Sequence, residues 1–384
     1  PQRISALFHV FKLFNSNHLI YNFIIYKFQI SGTKISKILL PLFLLLKCCH
    51  IMNKRLKLSC LSLFLALVIC SCSSQKKYSY ETVPDDPLKA RIYTLDNGLK
   101  VYLTVNKETP RIQTFIAVRV GGKNDPAETT GLAHYFEHLM FKGTDKFGTQ
   151  DYATEKPLLD AIEQQFEIYR KTTDEAERKA IYHTIDSLSY EASKYAIPNE
   201  YDKLMAAIGS TGSNAYTWYD QTVYQEDIPS NQIENWAKIQ ADRFENNVIR
   251  GFHTELEAVY EEKNMSLTRD NSKVQEAIFS SLFPNHPYGT QTVLGTQENL
   301  KNPSITNIKN YYKQWYVPNN MAICMSGDLD PDATIALIDK YFGGLKPNPE
   351  LPKLDLPKEA PITQPVVKEV LGPVSYTHLT LPTT

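Results

Sequence analysis

The chain has little cysteine and no surplus of charge. Five of its six cysteines lie at or before residue 72, and Cys324 alone lies beyond, in an apolar run that suits a core position. This distribution excludes a framework of disulfide bonds. The formal net charge is −1 over 384 residues. Because nucleic-acid-binding proteins carry a basic surface, we expect no nucleic acid among the partners.

Acidic residues are missing from residues 1–51, which hold six Lys or Arg, and the first methionine is Met52. The segment shows no steady hydrophobic period, and we interpret it as translated upstream sequence that is not part of the protein. The alternative is a natural extension with a membrane stretch at 38–46. That apolar run is far shorter than the roughly 20 residues that cross a bilayer. The other 35 basic and 42 acidic residues give the rest of the chain a net charge of −7.

Residues 52–72 are typical of a secretory signal peptide, with three basic residues before an apolar core at 58–69. The core runs into Ile69-Cys70-Ser71-Cys72, which resembles the cleavage box of bacterial lipoproteins, with Cys72 as the lipid acceptor. We therefore expect a lipid anchor in a membrane of the bacterial cell envelope, facing the periplasm or at the outer membrane. Residues 73–89 would form a tether. The alternatives are a signal peptide that is cut elsewhere and a plain anchor helix.

The body of the chain groups strands with long helices and has no regular βαβ alternation. Two β-rich runs flank Asp96-Asn97-Gly98, which is a strong hairpin signal. The elements predicted after this hairpin are strands at 114–120, 213–226 and 321–325, and helices at 130–141, within 231–283, at 304–315 and at 331–342. This order predicts an α+β layered domain over residues 90–345, with a mixed or antiparallel sheet flanked by helices.

Residues 153–198 interrupt this domain with two runs of apolar residues at helical spacing, separated by charged positions. The pattern predicts an inserted, charged helical hairpin whose apolar stripes pack in the core. Three roles stay open for it: substrate gating, a surface for a partner, or decoration without a function.

Residues 346–384 differ in composition from the domain before them. Six prolines within 346–365 predict a linker. Residues 366–372 are predicted to begin a second domain. Residues 373–384 resemble a translated sequencing adapter, and the alternative is a natural disordered tail. We therefore expect a chain that is cut shortly after its first domain.

The helix predicted at 130–141 contains the run His134-Tyr135-Phe136-Glu137-His138. Two histidines four residues apart project from one helix face and can supply two of the three protein ligands of a catalytic zinc. Glu137 lies on the same side and can serve as a base toward a water activated by the metal. The apolar neighbours indicate that the helix is at least half buried, and buried His and Glu side chains need partners that a metal supplies.

A third ligand can come from the acidic run at 254–264. Glu255 and Glu262 are seven residues apart, so they share one face of a helix. The alternative for so acidic a run is a solvated helix surface.

Three motifs carry a resemblance to the insulinase/pitrilysin family of zinc peptidases. Residues 131–144 resemble its active-site helix, 214–217 its strand beside the active site, and 255–262 its distal glutamate motif. The likeness extends from about residue 90 to 344. It implies a Zn2+ cofactor and endopeptidase or oligopeptidase activity on peptides or unfolded segments. The roles it implies are zinc ligands at His134, His138 and Glu262, the general base at Glu137, and support of the site without metal binding at Glu255.

The resemblance also implies how a substrate binds. Asn214, Ala215 and Tyr216 would lie along a peptide that adds to the sheet edge through backbone hydrogen bonds. Family members build a chamber from two similar halves, so a second domain in cis or a partner subunit is implied as well. We therefore expect this fragment alone to have little or no activity.

Two features bear on this interpretation. The gap of 124 residues from His138 to Glu262 is longer than is usual in the family, and the predicted hairpin accounts for the excess. The alternatives to an active peptidase are a non-catalytic relative that serves in binding or assembly, and a lipoprotein scaffold whose histidines are core residues.

Overall fold

The computed structural model describes residues 78–372 and 376–381. Residues 1–51, the predicted signal peptide at 52–72 with Cys72, and the first five residues of the predicted tether lie outside the described residues. So do residues 373–375 and 382–384 of the predicted adapter tail.

Seven strands form one mixed sheet in the order β1-β2-β3-β7-β4-β6-β5. In chain order they are β1 (Tyr80–Glu81), β2 (Arg91–Thr94), β3 (Lys100–Val105), β4 (Arg111–Val118), β5 (Thr211–Thr217), β6 (Thr222–Pro229) and β7 (Met321–Gly327). Strands β3 and β7 run parallel, and the other neighbouring pairs are antiparallel. The strand β5 forms one edge of this sheet.

Helices flank this sheet. In chain order they are α1 (Leu132–Leu139), α2 (Tyr152–Lys171), α3 (Glu175–Ser193), α4 (Glu200–Ala207), α5 (Ile233–Glu245), α6 (Phe252–Leu267), α7 (Asp270–Leu282), α8 (Pro287–Thr290), α9 (Gln297–Leu300), α10 (Ile305–Trp315) and α11 (Pro331–Phe342). The helix α1 packs against β5 and β6 and against α6 and α10. The predicted α+β class, with a mixed sheet flanked by helices, is confirmed. The predicted helical hairpin is present as α2 and α3.

Two predicted elements have different ends in the structure. The strand predicted at 114–120 is Arg111–Val118, because every second residue from Ile112 onward is buried along its whole length. The helix predicted at 130–141 is the shorter α1. Gly131 has φ +87, so the helix begins after it, and a Cβ there would lie 2.8 Å from the Cα of Gly295.

The folded part begins before residue 90, where the tether was predicted to end. Tyr80 and Glu81 pair with β2, and the Tyr78 hydroxyl donates to Asp339 at 2.8 Å. The prediction failed here because a two-residue edge strand has no hydrophobic alternation to reveal it. The helix α4 was also missed, although its Tyr201 and Met205 are buried one turn apart.

The segment 346–365 forms no helix or strand, as expected of a linker. After it, β8 (Val366–Leu371) pairs with β9 (Tyr376–Leu381) in a separate two-stranded antiparallel sheet. That β8 begins a second domain, and that the tail is an adapter, both stay predictions. Within the described part of the chain, no helix has the length and apolar character that spanning a membrane requires.

Candidate metal centre

The helix α1 is held at its N-terminus by Asp125. One carboxylate oxygen of Asp125 accepts the N–H groups of Gly131 and Leu132 at 2.8 and 3.1 Å, and the other accepts that of Ala133 at 3.0 Å. Burial raises the pKa of Asp125 to about 8, and the three N–H donors oppose that rise. Three of the four amides that a helix start leaves without partners are thereby satisfied.

The C-terminus of α1 is held by Arg243, whose Nε donates to the carbonyl of Met140 at 2.8 Å. The guanidinium is fully buried, and its central carbon lies 4.3 to 4.6 Å from the ring centres of Phe141, Tyr201 and Tyr224. Aromatic faces attract a cation most strongly when water is excluded. Both ends of the helix that carries the histidines are therefore fixed by buried polar side chains.

Three of the predicted site residues converge on one point. His134 Nε2 lies 3.3 Å from His138 Nε2, and Glu262 Oε2 lies 3.5 and 3.6 Å from these two nitrogens. The histidine side chains are 12% and 20% exposed and that of Glu262 is 38% exposed. The helices α1 and α6 thus bring together side chains that are more than 120 residues apart in the chain.

These separations fit a zinc ion. A tetrahedral zinc with ligand bonds of 2.0–2.1 Å separates its ligand atoms by about 3.3–3.4 Å. Two imidazoles and one carboxylate also form a donor set that catalytic zinc uses. Burial, and next the charge of His138, lowers the pKa of His134 to about 4. A histidine with so low a pKa is neutral near pH 7, which is the form that binds a metal.

His138 is oriented by Glu255, which stands two helical turns before Glu262 on α6. The Nδ1 of His138 lies 2.7 Å from Glu255 Oε1, and the other Glu255 oxygen pairs with the Lys142 ammonium. Burial alone would raise the pKa of Glu255, but the bonds to His138 and Lys142 lower it to about 2. Burial lowers the pKa of His138, and the bond to Glu255 with the nearby carboxylates outweighs it, so the net shift is upward. Such a carboxylate fixes which ring nitrogen faces the metal.

Glu137 faces the strand β5. The Thr217 hydroxyl donates to Glu137 Oε2 at 2.5 Å. Burial raises the pKa of Glu137, and the Thr217 bond and the charge of His138 oppose that rise. A buried carboxylate with a raised pKa, oriented by one hydrogen bond, is a stronger base than an exposed one.

The residues predicted to lie along a peptide are on β5. Within the described residues β5 pairs with β6 alone, so its second edge has backbone groups that can accept another strand. Asn214 is exposed, Ala215 is half-buried, and Tyr216 is 45% exposed. Ala215 and Thr217 alternate with Tyr216, so they lie on the face toward α1.

Sequence reasoning missed the residues that hold this centre in place. Thr217 follows Ala215 on the same strand face, and Lys142 follows His138 by four residues, so simple periodicity could have indicated both. Asp125 and Arg243 had no such signal, because Asp125 lies six to eight residues before the amides that it binds and Arg243 lies 103 residues after Met140.

Two segments of the chain match family models. Residues 100–161 match the model described as Insulinase (Peptidase family M16). Residues 304–384 match the model described as Peptidase M16 inactive domain. The first match contains His134, Glu137 and His138, and the second begins just before α10.

Curated relatives agree with these models. The chain is 25% identical over 274 residues to the Probable mitochondrial-processing peptidase subunit beta of Schizosaccharomyces pombe, covering 70% of this chain and 48% of that protein. It is 23% identical over 255 residues to an uncharacterized zinc protease of Mycobacterium leprae, covering 65% of this chain and 45% of that protein. The chain therefore spans about half the length of these relatives.

Solved structures share the fold. The periplasmic protease PqqL from Escherichia coli superposes with a TM-score of 0.54 at 20% identity, over 73% of this chain and 26% of that chain. Pitrilysin superposes with a TM-score of 0.52 at 21% identity, over 76% of this chain and 26% of that chain. The chain thus has the fold of the M16 proteases.

Proposed function

We propose that this chain is the zinc-binding half of a peptidase of family M16 and that it hydrolyses peptides or unfolded segments. The observation that carries the proposal is the convergence of His134, His138 and Glu262 at separations of 3.3 to 3.6 Å. The family models and the relatives named as zinc proteases support the same reading.

The proposed chemistry is hydrolysis of an amide. His134, His138 and Glu262 would hold the ion, which when bound supplies a Lewis acid that polarises a carbonyl and acidifies water. Glu137 takes a proton from the attacking water on the oxygen that Thr217 does not bond, and then delivers it to the leaving amine. Glu255 keeps Nε2 of His138 turned toward the ion by bonding its Nδ1.

The proposed substrate is an extended peptide. Its backbone would bond the open edge of β5 along Asn214, Ala215 and Tyr216, as in other complexes in which a strand is added to a sheet. Because this edge is open and Glu262 is only half-buried, we propose that a second half, in cis or as a partner subunit, encloses the bound peptide.

The proposed location is the bacterial cell envelope, with a lipid anchor on Cys72. This part of the proposal depends on the signal-like residues 52–72, which lie outside the described residues. The similar fold of a protease named as periplasmic, PqqL, supports an envelope location.

Metal analysis of the purified chain tests the proposal. After zinc loading and dialysis, we expect one zinc per chain, loss of the ion in His134→Ala and Glu262→Gln, and its retention in Glu137→Gln. The exposed neighbour Glu261→Gln is the matched control for Glu262 and should keep the ion. In the complete gene product, Glu137→Gln should abolish peptide cleavage. A zinc-loaded gene product that binds unfolded peptides without cleaving them would indicate the binding or assembly subunit instead.

A further inference from the structure

The inserted hairpin contributes one buried charge to the body of the domain. Glu155, in the first turn of α2, has no exposed surface and binds Arg250 through both oxygens. Arg250 Nε lies 2.6 Å from Glu155 Oε1, and Nη2 lies 2.8 Å from Oε2. Arg250 is itself only 5% exposed. Two parallel bonds of this kind fix both position and orientation of the guanidinium.

Arg250 connects Glu155 of the hairpin to the loop after α1. Its Nη1 donates to the carbonyl of Lys142 at 2.8 Å, and its Nη2 donates to that of Thr144 at 3.1 Å. The side chain of Lys142 pairs with Glu255, and Glu255 contacts His138 at 2.7 Å. A continuous series of polar contacts therefore leads from the hairpin to a residue of the candidate metal centre.

The hairpin also contacts the start of α6, the helix that carries Glu255 and Glu262. The ring of Phe166 on α2 meets Phe252 edge to face at 4.9 Å, and Tyr182 on α3 lies 3.2 Å from His253 Nδ1. The carbonyl of Phe252 in turn accepts the Tyr135 hydroxyl of α1. The hairpin thus touches both supports of the site, the loop after α1 and the first turn of α6.

We propose that the α2–α3 hairpin positions the metal centre, and that Glu155 and Arg250 are positioning residues of that centre. The inference rests on the proposed zinc site and assigns the hairpin a role that the sequence left open. Neither residue touches the three candidate ligands. They act through the backbone of Lys142 and Thr144, and through Lys142 on Glu255.

The physical reason lies in the cost of a buried, unpaired charge. Without the Glu155 carboxylate, Arg250 must move toward water or stay buried without a counter-charge. Either change disturbs the carbonyls of Lys142 and Thr144, and the Lys142 ammonium then shifts from Glu255. Loss of such outer partners weakens metal binding by about 10- to 100-fold in known sites.

The hairpin offers its own matched control. Glu163 lies two turns after Glu155 on α2 and ties the hairpin to α10 through Thr306 at 2.8 Å and through Lys309. This tie does not reach the loop after α1. Glu163→Gln therefore breaks a contact between hairpin and body of similar chemistry while leaving the anchor at Arg250 intact.

The test compares zinc affinity, measured by chelator competition, in the otherwise unaltered chain. We expect Glu155→Gln to weaken zinc binding about tenfold or more, and Glu163→Gln to leave it within about twofold of the parent. Arg250→Lys keeps the charge but cannot span both carbonyls and the carboxylate, so it should weaken zinc binding as Glu155→Gln does. The absorption bands of the cobalt-substituted protein should shift in these two variants and not in Glu163→Gln.

Thermal unfolding of each variant separates positioning from loss of the fold. Ile338→Val, in the buried core of α11, lowers stability without touching the anchor and should bind zinc normally. If folded Glu155→Gln binds zinc as tightly as the parent with an unchanged cobalt spectrum, the inference is wrong and the proposed function stands. If the parent chain itself binds no zinc, the proposed function fails first.

Discussion

At the scale of single residues, the orientation of the Glu137 carboxylate depends on one neighbouring side chain. A buried carboxylate can rotate away from its working position unless another group holds it, and the Thr217 hydroxyl at 2.5 Å is that group. The contact joins residues 80 positions apart, so sequence patterns could predict Glu137 as a base but could not predict what orients it. The pairing of Glu255 with His138 spans 117 positions, and the sequence predicted only a supporting role for Glu255, through a family resemblance.

Thr217→Val should lower cleavage by the complete gene product. The substitution keeps the shape of the side chain and removes one hydrogen bond to a charged group, which contributes about 1.5–3 kcal/mol. We expect kcat to fall by roughly 10- to 100-fold while KM and zinc content stay unchanged. Thr211→Val, at the other end of β5, is the control. Equal effects of the two substitutions would contradict a specific role for Thr217.

Asp242 gives a prediction about pH. Its carboxylate accepts the Thr144 hydroxyl at 2.7 Å and the Asn246 amide at 2.8 Å, and it pairs with Lys146. Burial tends to raise the pKa of Asp242, but the bonds from Lys146, Thr144 and Asn246 lower it below the ordinary 3.8. A lowered carboxyl pKa stabilises the fold above the unfolded value and loses this effect as pH falls through the folded value.

Asp242→Asn should therefore reduce the free energy of unfolding by about 1–2 kcal/mol near neutral pH. The difference from the parent should shrink as pH falls below about 4. Urea unfolding at about pH 7 and about pH 3 measures both. The exposed Asp332→Asn is the control and should change the free energy of unfolding only slightly. If the difference between Asp242→Asn and the parent grows in acid, the assigned direction of the Asp242 pKa shift is wrong.

At the scale of elements, the stability of α1 depends on contacts made at both of its ends. A helix of eight residues is too short to be stable alone, and Asp125 and Arg243 supply contacts that the helix itself lacks. The helix was predictable because a histidine pair at helical spacing lies among apolar residues. Its caps were not, because neither comes from the residue directly before or after it.

Asp125→Ala should cost about 2 kcal/mol in urea unfolding, at the upper end for a helix cap, because buried N–H groups lose their acceptor. It should also weaken zinc binding, since the histidine-bearing turn is no longer fixed. Asp330→Ala removes the cap of α11, where an exposed carboxylate accepts the Ala333 N–H at 2.9 Å. That control should lose about 1 kcal/mol or less and keep its zinc affinity. If zinc binding is unchanged in Asp125→Ala as well as in Asp330→Ala, Asp125 stabilises the fold but does not position the metal centre.

Hydrophobic periodicity indicated the hairpin, most long helices and the strands with clear alternation. It could not indicate that β3 and β7 pair in parallel, because more than 200 residues separate them. It also could not show where Glu155 and Arg250 meet. Both look like ordinary charged positions in the sequence, and only the packing of α2 against the loop after α1 buries them together.

At the scale of the whole molecule, the candidate metal centre lies beside an exposed edge strand. It spans about half the length of its curated relatives. The electrostatic effect of a bound zinc ion on a substrate is stronger when water is excluded from the site. An open sheet edge does not exclude water. Under the proposed function, we therefore expect the site to bind zinc even where the enclosing half that catalysis needs is missing.

We accordingly expect residues 73–372 to bind zinc and to cleave unfolded peptides little or not at all. A fluorescence-quenched peptide library, incubated with the zinc-loaded protein, measures this. Cleavage should appear when the second half is supplied in cis or as a separate subunit. Strong cleavage by residues 73–372 alone would contradict the need for an enclosing half.

The most direct test of the central claim is an anomalous diffraction map recorded at the zinc absorption edge from crystals of the zinc-loaded chain. The proposal predicts one strong peak about 2.0–2.2 Å from His134 Nε2, His138 Nε2 and a carboxylate oxygen of Glu262. A map with no peak at these three side chains, or with a peak bound elsewhere, would contradict it.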